Sequence, residues 1–216
     1  MKKTITTLAL LASASVSTAA LYSMDFSTPG QGSTHDTGGD AIEASPIAGT
    51  NWTLTHSTPS SDGSTNEFIT VAGSLMRVQD WGGDGTVTSS IINIVANGIV
   101  EITGTGLSIG GDSFNTVGTE GITWFYSING GTTSTYLGET ELGGPVAAGT
   151  DVGNSFSSVA VTSGDTLLVG FTVNVNGAGD GVEISALDVE FTPVPEPSSS
   201  ALLGLGGLAL ILRRRK

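Results

Sequence analysis

The stretch Ile122-Thr-Trp-Phe-Tyr-Ser-Ile-Asn-Gly-Gly-Thr-Thr-Ser-Thr-Tyr-Leu-Gly-Glu139 has the pattern of a β-hairpin. β-Branched and aromatic residues stand on both sides of Asn129-Gly130-Gly131. Asn and Gly accept the positive φ values that a tight primed turn requires. The sequence therefore predicts two neighbouring antiparallel strands, over Ile122 to Ile128 and over Thr135 to Glu139.

Similar runs recur in the rest of the body, between clusters of Gly, Asn, Asp and Ser. No segment of residues 21–193 sustains the 3.6-residue apolar stripe of a good helix. The run from Leu167 to Val175 alternates apolar and polar residues, which predicts a strand that covers a core with one face. The run from Val182 to Phe191 changes parity, which predicts a β-bulge near Ala186.

The pattern as a whole predicts an all-β fold. Together with the hairpin, the predicted strands span residues 21–26, 52–56, 68–71, 75–78, 87–96, 99–103, 167–175 and 182–191. Many short strands with turn signals at regular intervals favour a two-sheet sandwich. Residues 21–193 are therefore predicted to form a single antiparallel β-sandwich of the jelly-roll type.

The ionisable residues divide the chain into an acidic body and basic ends. Of the seven Lys and Arg residues, residues 21–197 hold only Arg77, whereas all 20 Asp and Glu residues lie in that range. Nucleic acids and anionic membranes are bound through clustered cations, so we expect no nucleic-acid partner. The chain has no Cys, which excludes disulfides, thiolate metal sites and a cysteine nucleophile.

The N-terminus has the pattern of a secretory signal peptide. Lys2 and Lys3 form a short basic region, residues 5–14 are apolar or small, and small residues follow at the spacing that a signal peptidase reads. Cleavage is expected after Ala19 or Ala20, so residues 1–20 are predicted to be removed. Signal peptidase is therefore an expected partner, and the expected route is export through the inner membrane.

The C-terminus, residues 194–216, combines three features in a fixed order. Pro195-Glu196-Pro197 does not continue a regular strand or helix, because proline lacks the amide donor and restricts its neighbour. An apolar run follows over residues 201–212, and the chain ends with Arg213-Arg214-Arg215-Lys216. By the positive-inside rule these cations stay on the cytoplasmic side. The sequence thus predicts a short apolar helix with a basic stop.

This order of features resembles the PEP-CTERM class of exported bacterial proteins, in which it forms a sorting signal. The resemblance implies recognition by an exosortase, a membrane-embedded cysteine protease-transpeptidase that cuts near Pro195-Glu196-Pro197 and passes the protein to the cell surface or extracellular polymer. The apolar run of residues 201–212 is about 18 Å long as a helix, against roughly 30 Å of hydrocarbon. We therefore expect a transient sorting anchor rather than a permanent transmembrane helix.

The body is also similar to jelly-roll modules of secreted bacterial proteins, some of which bind carbohydrate. The order of several segments carries this looser resemblance: Phe68-Ile-Thr-Val, Trp81-Gly-Gly-Asp-Gly, Ile91-Ile-Asn-Ile, Ile122-Thr-Trp-Phe-Tyr, Gly164-Asp-Thr-Leu-Leu-Val and Gly181-Val-Glu-Ile. The resemblance implies the same fold and assigns no binding residue.

Catalytic motifs are missing from the sequence. His35 and His56 are its two histidines, and both lie in polar stretches. No Gly-x-Ser-x-Gly elbow presents a serine to a Ser-His-Asp triad. A glycosidase needs two carboxylates at a fixed separation, and the 20 acidic residues single out no pair. We expect a protein that is not an enzyme, with a secreted hydrolase as the catalytic alternative.

Two glycine-rich segments suggest calcium binding. Asp80-Trp-Gly-Gly-Asp84-Gly is predicted to form a turn with two carboxylates, and Asn176-Gly-Ala-Gly-Asp180-Gly is a second candidate. Hard cations prefer carboxylate and carbonyl oxygens. Neither segment has the EF-hand pattern, and Asp and Gly also recur in turns for backbone reasons. Calcium at Asp80, Asp84 and Asp180 is therefore an open prediction, and no other cofactor is expected.

The aromatic residues suggest one ligand contact. Trp81 is predicted to lie in the polar turn, where an aromatic face would match the apolar face of a pyranose. Trp124 shares its parity with Tyr126 and Ile128 within a strand, so we expect it in the core. Trp81 is therefore the candidate sugar contact.

Three functions remain open at this point. The first is a non-enzymatic protein of the cell surface or extracellular matrix, sorted by its tail. The second is a calcium-assisted carbohydrate-binding module with extracellular polysaccharide as its partner, and the third is a secreted hydrolase. Finding Trp81, Asp80 and Asp84 on one concave surface would favour the second.

Overall fold

Two antiparallel β-sheets build the body of the protein. The structure, a computed structural model, describes residues 17–24, 26, 34–35, 50–56, 68–79, 81–110, 114, 120–175, 180–194, 206–207, 210 and 213. The elements are β1 (Ala19–Ser23), β2 (Thr34–His35), β3 (Trp52–His56), β4 (Phe68–Ala72), β5 (Leu75–Gln79), β6 (Trp81–Ser89), β7 (Ile92–Asn93), β8 (Gly98–Ile109), β9 (Gly121–Ile128), β10 (Gly131–Gly138), α1 (Glu139–Leu142), β11 (Asn154–Val161), β12 (Thr166–Val175) and β13 (Gly181–Pro193).

The strands divide into a seven-stranded sheet and a six-stranded sheet. Sheet A has the order β11-β8-β13-β5-β4-β2, with β1 also paired to β13. Sheet B has the order β10-β9-β12-β6-β3, with β7 also paired to β12. The pairings within both sheets are antiparallel, for example β13 with β8 and β12 with β9. The predicted all-β sandwich is therefore confirmed.

The predicted hairpin is confirmed, with a longer second strand. Ile128 pairs with Gly131, so Asn129 and Gly130 form a two-residue turn with φ values of 51° and 86°. Positive φ at both positions is what a type I′ turn requires. The second strand starts at Gly131 instead of the predicted Thr135, and Glu139 belongs to α1 rather than to the strand.

The core lies between the two sheets. In β12 the alternate residues Val169, Phe171, Val173 and Val175 are fully buried, as their period of two predicts. Trp124 of sheet B is also buried, and its Nε1 donates a hydrogen bond to the carbonyl oxygen of Val152 at 2.8 Å. The prediction that Trp124 is a core residue is therefore confirmed.

The last strand carries the predicted bulge. The register of β13 against β8 shifts between Ile184 and Ala186. Ile184 lies before the shift and Leu187 after it, and both are buried. The bulge therefore keeps both apolar parities of the strand in the core.

The predicted strands differ from the structure in several places, such as β1 (Ala19–Ser23, predicted over 21–26) and β8 (Gly98–Ile109, predicted over 99–103). The single strand predicted over residues 87–96 is two strands, β6 and β7, which both pair with β12. At the end of β6, next to the break, the buried Ser89 side chain accepts a hydrogen bond from the amide of Val169 at 3.1 Å, so a side chain replaces a ladder bond there. β11 was not predicted, because its serine-rich sequence contains a register shift and a positive φ of 60° at Ser158.

The chain ends are described only in part. Ala19 and Ala20, the predicted cleavage positions, lie in β1 opposite Phe191 and Glu190. Residues 1–16 and 195–205, with Pro195-Glu196-Pro197, lie outside the described residues. Residues 206, 207, 210 and 213 have helical geometry, which does not confirm the predicted helix as a whole. Within the described part of the chain, no helix is long and apolar enough to cross a membrane.

Candidate functional site

The two acidic segments belong to neighbouring connections between the sheets. β5 ends at Gln79 in sheet A and β6 starts at Trp81 in sheet B, while β12 ends at Val175 and β13 starts at Gly181. Gln79 pairs with Gly181, and Trp81 pairs with Val175. Strand pairing therefore brings both predicted calcium segments to the same end of the sandwich, although Asp80 itself lies outside the described residues.

The prediction that Trp81 and Asp84 lie in a turn is wrong. Residues 81–89 form β6, which pairs with β12 on one side and β3 on the other. Between the Trp81–Val175 and Gly85–Val173 pairs, three residues of β6 oppose Asn174 alone. The glycines that suggested a turn thus lie in a bulge of a central strand, as glycine within a strand often does. The side chain of Trp81 lies outside the described residues.

The described acids at this end do not form a metal-binding group. Asp84 is exposed, and its Oδ1 accepts a hydrogen bond from Asn174 Nδ2 at 3.2 Å. Asp180 is buried. Among the described residues, no three His, Asp or Glu side chains are grouped so that they would hold a metal ion. Calcium binding stays a prediction.

The histidines are placed by their strands. His35 lies in β2 of sheet A, opposite Phe68, and His56 lies in β3 of sheet B, opposite Gly85. Their side chains lie outside the described residues. The backbone positions put the two residues in different sheets.

The outer surface of sheet B carries rows of hydroxyl groups that run across the strands. One row crosses five strands in the order Thr55, Thr86, Thr172, Thr123 and Tyr136, each residue directly opposite the next. The inward-facing neighbours, such as Val87, Phe171 and Ile122, are buried. Because side chains alternate along a strand, the row faces away from the core.

A second row lies beside the first. It runs through Thr53, Thr88, Gly170, Phe125 and Ser134, again by direct pairing. We call the surface formed by these two rows the threonine face. Its hydroxyls contact one another in pairs: Thr53 Oγ1 lies 3.0 Å from Thr88 Oγ1, and Thr86 Oγ1 lies 2.8 Å from Thr172 Oγ1.

Two aromatic rings of the threonine face lie over glycines. A Cβ atom on Gly121 or Gly138 would collide with the Tyr136 ring, with Cε2 over the first glycine and Cε1 over the second. The Phe125 ring covers Gly170 in the same way. Without side chains below them, the rings settle against the sheet. Both side chains are only partly buried there, so part of each ring stays accessible.

The Tyr136 hydroxyl holds its ring in this position. It donates a hydrogen bond to the backbone carbonyl oxygen of Glu120. Burial raises the pKa of Tyr136 above its ordinary value, and the nearby Glu141 and Glu120 carboxylates raise it further. The hydroxyl therefore stays protonated and remains a donor at neutral pH.

Beyond the second row, the same side of sheet B contains a small recess. Its volume is about 170 Å³, and it is lined by Ile91, Ser127, Gly130, Thr166, Leu167 and Leu168. Ile91 is 65% exposed. The recess adds an apolar element next to the hydroxyl rows.

Sheet A has a polar cleft of its own, beside β8 and β11. The cleft measures about 410 Å³ and is lined by Thr103, Gly104, Thr105, Asp151, Gly153, Asn154 and Ser155. The Asp151 carboxylate accepts a hydrogen bond from the Gly153 amide at 2.8 Å. The lining contains no aromatic residue, so the cleft offers no ring on which a sugar would stack.

Sequence reasoning did not find the threonine face. Its members are far apart in the chain and meet only through strand pairing. The available signal was the outward parity of Thr172 and Asn174 in β12, which indicated a polar outer surface without saying what lies next to it.

Residues 193–216 match the PEP-CTERM protein-sorting motif. The tail therefore carries this sorting motif, as the sequence pattern predicts, and the motif implies an exported protein and processing by an exosortase. No curated protein sequence is significantly similar to the chain.

Some solved structures are distantly similar. TmCBM61, determined in complex with β-1,4-galactotriose, matches at 13% identity and a TM-score of 0.33, over 64% of this chain and 81% of that chain. The CBM22-1 xylan-binding domain of Paenibacillus barcinonensis Xyn10C matches at 13% identity and a TM-score of 0.29, over 84% and 100%. The enzymatically active domain of bacteriophage CBA120 tailspike protein 4 matches at 12% identity and a TM-score of 0.35, over 77% of this chain and 20% of that chain. These scores are too low for any property to be carried over.

Proposed function

We propose that this chain is a non-enzymatic protein of the cell surface or extracellular matrix, delivered there by its C-terminal tail. The observation that carries the proposal is the PEP-CTERM protein-sorting motif at residues 193–216. In this proposal signal peptidase removes residues 1–19 or 1–20, and an exosortase cuts near Pro195-Glu196-Pro197. The tail is a transient anchor in the inner membrane.

The end of the folded body supports processing close to the membrane. β13 ends at Pro193, and the amide of Val194 still donates a hydrogen bond to the Asn97 carbonyl oxygen at 3.1 Å. Residues 195–200 span at most about 20 Å when extended. An enzyme in the membrane that reads Pro195-Glu196-Pro197 would therefore act next to the sandwich.

The two processed ends leave the sandwich in the same direction. Ala19, at the start of β1, pairs antiparallel with Phe191, near the end of β13. β1 is also held independently of its first residues, because the Tyr22 hydroxyl donates to the Asn51 carbonyl oxygen at 2.8 Å. Cleavage after Ala20 would leave that contact in place. This geometry suits a body that folds outside the membrane while both ends are processed at it.

The test is the fate of the tail in the native cell. Glu196→Ala should leave the apolar run attached and hold the protein in the inner-membrane fraction. Glu190→Ala, an exposed glutamate of β13, is the matched control and should be sorted like the wild type. Mass spectrometry of surface material identifies both mature ends. Wild-type surface protein that still carries Lys216 would rule out cleavage, and an intact Met1 would rule out signal-peptide removal.

A deletion of Arg213 to Lys216 tests the basic stop separately. The apolar run is too short to anchor firmly alone, so without the cations less protein should be retained in the membrane before processing. Pulse labelling followed by fractionation measures this retention. Unchanged retention would show that the cations have no role in holding the tail.

The second candidate function is calcium-assisted carbohydrate binding to extracellular polysaccharide. The threonine face with its two aromatic rings favours the carbohydrate part, and the meeting of the two acidic connections at one end favours the calcium part. Calcium that binds only the native state raises stability by RT ln(1 + [L]/Kd). Melting temperatures with calcium and with a chelator should then differ.

Asp80→Asn combined with Asp84→Asn and Asp180→Asn should abolish that difference. Asp151→Asn, on sheet A, is the control and should preserve it. Identical melting curves for the wild type with calcium and with chelator would remove calcium from the proposal.

A further inference from the structure

The threonine face presents groups that both donate and accept hydrogen bonds. Each hydroxyl offers one donor and two acceptor positions. The Thr86–Thr172 contact uses one hydrogen bond, and the Thr53 hydroxyl contacts both the hydroxyl and the carbonyl oxygen of Thr88. Every hydroxyl in these pairs therefore keeps at least one acceptor position. A surface of this kind matches a ligand that is itself covered with hydroxyl groups.

The aromatic rings add an apolar part to the same surface. Tyr136 and Phe125 lie on adjacent strands, where Tyr136 pairs with Thr123 and Phe125 pairs with Ser134. They are therefore diagonal neighbours, with backbone positions roughly 7–8 Å apart. Ring atoms of each lie where the Cβ of a neighbouring residue would be if that residue were not glycine, and both side chains stay partly exposed. Two such rings would stack on the apolar faces of sugar rings in one chain.

The charge of the surface indicates that the ligand is neutral. Asp84, which lies beside the two rows, is exposed and acidic, and the two rows themselves contain no ionisable group except the phenol of Tyr136. The body, residues 21–193, holds a single Lys or Arg, Arg77, against 19 acidic residues. Anionic polymers would be repelled, and an apolar protein partner would leave the threonine hydroxyls buried without water.

We propose that the threonine face binds a neutral polysaccharide chain. Tyr136 and Phe125 are the stacking platforms, and the hydroxyls of Thr123, Thr172 and Thr86 make the polar contacts. The site rests on the second candidate function, carbohydrate binding, and assigns it to sheet B instead of the end of the sandwich that holds Trp81. It is independent of calcium.

Affinity gel electrophoresis of the full chain in mild detergent tests the proposal. Xyloglucan, galactomannan and mixed-linkage β-glucan are the neutral probes, and alginate is the acidic probe. The wild type should be retarded by at least one neutral probe and not by alginate. Phe125→Ala should weaken retardation about tenfold, the loss expected when roughly 1.4 kcal/mol of stacking and burial is removed.

A second variant is needed because Phe125→Ala could lose binding by misfolding. Thr123→Val with Thr172→Val keeps the shape of the side chains and the β propensity while removing two adjacent hydroxyls, and it should weaken retardation about five- to tenfold. Thr103→Val with Thr105→Val makes the same change on sheet A and should leave binding unchanged. Melting curves of both variants confirm that they are folded.

The results distinguish two failures: a wrong binding site on the threonine face, and a wrong function, carbohydrate binding itself. If the wild type binds a neutral probe and the sheet B variant binds equally well, the site is wrong and carbohydrate binding stands. Loss of binding in the sheet A variant alone would move the site to the cleft beside β8 and β11. Preference for alginate, or a dimer that the sheet B variant dissociates, would also overturn the site. If no neutral probe binds, carbohydrate binding fails with it, whereas sorting by the tail is judged separately by fractionation.

Discussion

The outer surfaces of the two sheets share one core and carry opposite chemistry. On sheet A, Glu101 faces Glu190 directly across β8 and β13, and Arg77 pairs with Glu183 across β5 and β13. On sheet B, the corresponding positions in the middle of the sheet are Thr86, Thr172 and Thr123. Both surfaces are polar, but these central positions are charged only on sheet A. On sheet B the exposed acid Asp84 lies beside them.

The difference between the two surfaces shows that solubility alone does not explain which residues lie on the outside of each sheet. A charged surface keeps an exported protein soluble and separate from other acidic polymers. The two rows of the threonine face contain no charged side chain across five strands of sheet B, and they include two aromatic rings. A neutral surface with apolar rings keeps a protein less soluble than a charged surface does. Such a surface fits a role in binding a ligand. If the two surfaces differ in this way, equivalent substitutions on them should have different effects.

The largest expected effect comes from the core that both surfaces share. Trp124→Ala should lower the free energy of unfolding by about 3–5 kcal/mol, because it removes a buried ring and leaves a cavity. It also removes the hydrogen bond to Val152 and the contact with Phe171, whose ring centroid lies 5.3 Å away. Denaturant titration measures the loss, and Trp124→Phe should lose clearly less.

Hydrogen exchange of the Trp124→Ala variant tests whether the sandwich is one unit. Amides of β8 and β12 should lose protection together, since both strands cover the same core. Protection that persists in β8 alone would show that the sheets unfold separately. The two surfaces would then belong to independent units, and the comparison between them would fail.

An exchange of side chains between the surfaces should have opposite effects on stability. Glu101→Thr removes one of two like charges that lie directly opposite each other, so it should raise the free energy of unfolding by about 0.2–1 kcal/mol. Thr123→Glu with Thr172→Glu creates such a pair on sheet B and should lower it by a similar amount. Both effects should shrink in high salt. Effects of the same sign would contradict the comparison.

The ion pair of sheet A should contribute less. Nε and Nη2 of Arg77 donate to Glu183 Oε1 at 3.0 and 2.6 Å, and the side chains are 43% and 24% exposed. Exposed pairs of this kind contribute little because water screens them. Arg77→Gln should therefore cost about 0.5 kcal/mol or less in a thermal melt. A loss above roughly 2 kcal/mol would mean that Arg77 has a structural role that the pair does not explain.

The sequence predicts those parts of the fold that depend on local pattern. Asn129-Gly130 specifies the hairpin through its positive φ values, and the alternation in β12 specifies which side chains are buried. The tail motif at residues 193–216 is local in the same sense. These features needed no knowledge of distant neighbours.

The features that the sequence did not predict depend on pairing between residues that are far apart in the chain. Trp81 and the glycines after it have the composition of a turn, but β12 and β3 on either side hold them as a strand. The threonine face joins residues from Thr53 to Thr172, which no local window contains. Its members were visible only as polar residues in separate strands, and their order across the sheet required the register.

The smallest effect concerns a carboxylate at the end of sheet B. Asp165 accepts hydrogen bonds from the Thr162 amide and from Asn129 Nδ2, both at 2.7 Å. The Thr162 amide, and then the Asn129 amide, hold the pKa of Asp165 below its ordinary value of 3.8. The pKa of Asp165 is lower in the folded protein than in the unfolded chain. The ionised carboxylate therefore stabilises the fold fully at pH values above the pKa of the unfolded chain. That stability is lost as pH falls through the folded pKa.

Asp165→Asn should therefore be less stable than the wild type at neutral pH. The difference should start to shrink as the pH falls below about 3.8, the ordinary pKa, and should vanish only below the lower pKa of the folded protein. Melting temperatures measured across the acidic range check this, with Asp188→Asn on sheet A as the control. In the control the carboxylate accepts a hydrogen bond from a serine hydroxyl, Ser23 Oγ, at 2.6 Å, and not from a backbone amide. A difference for Asp165→Asn that is the same at every pH would show that the loop is held by the shape of the side chain and not by its charge. Asn129, which binds Asp165, is also a residue of the β9–β10 turn. That result would therefore mean that the charge of Asp165 has no part in holding this turn.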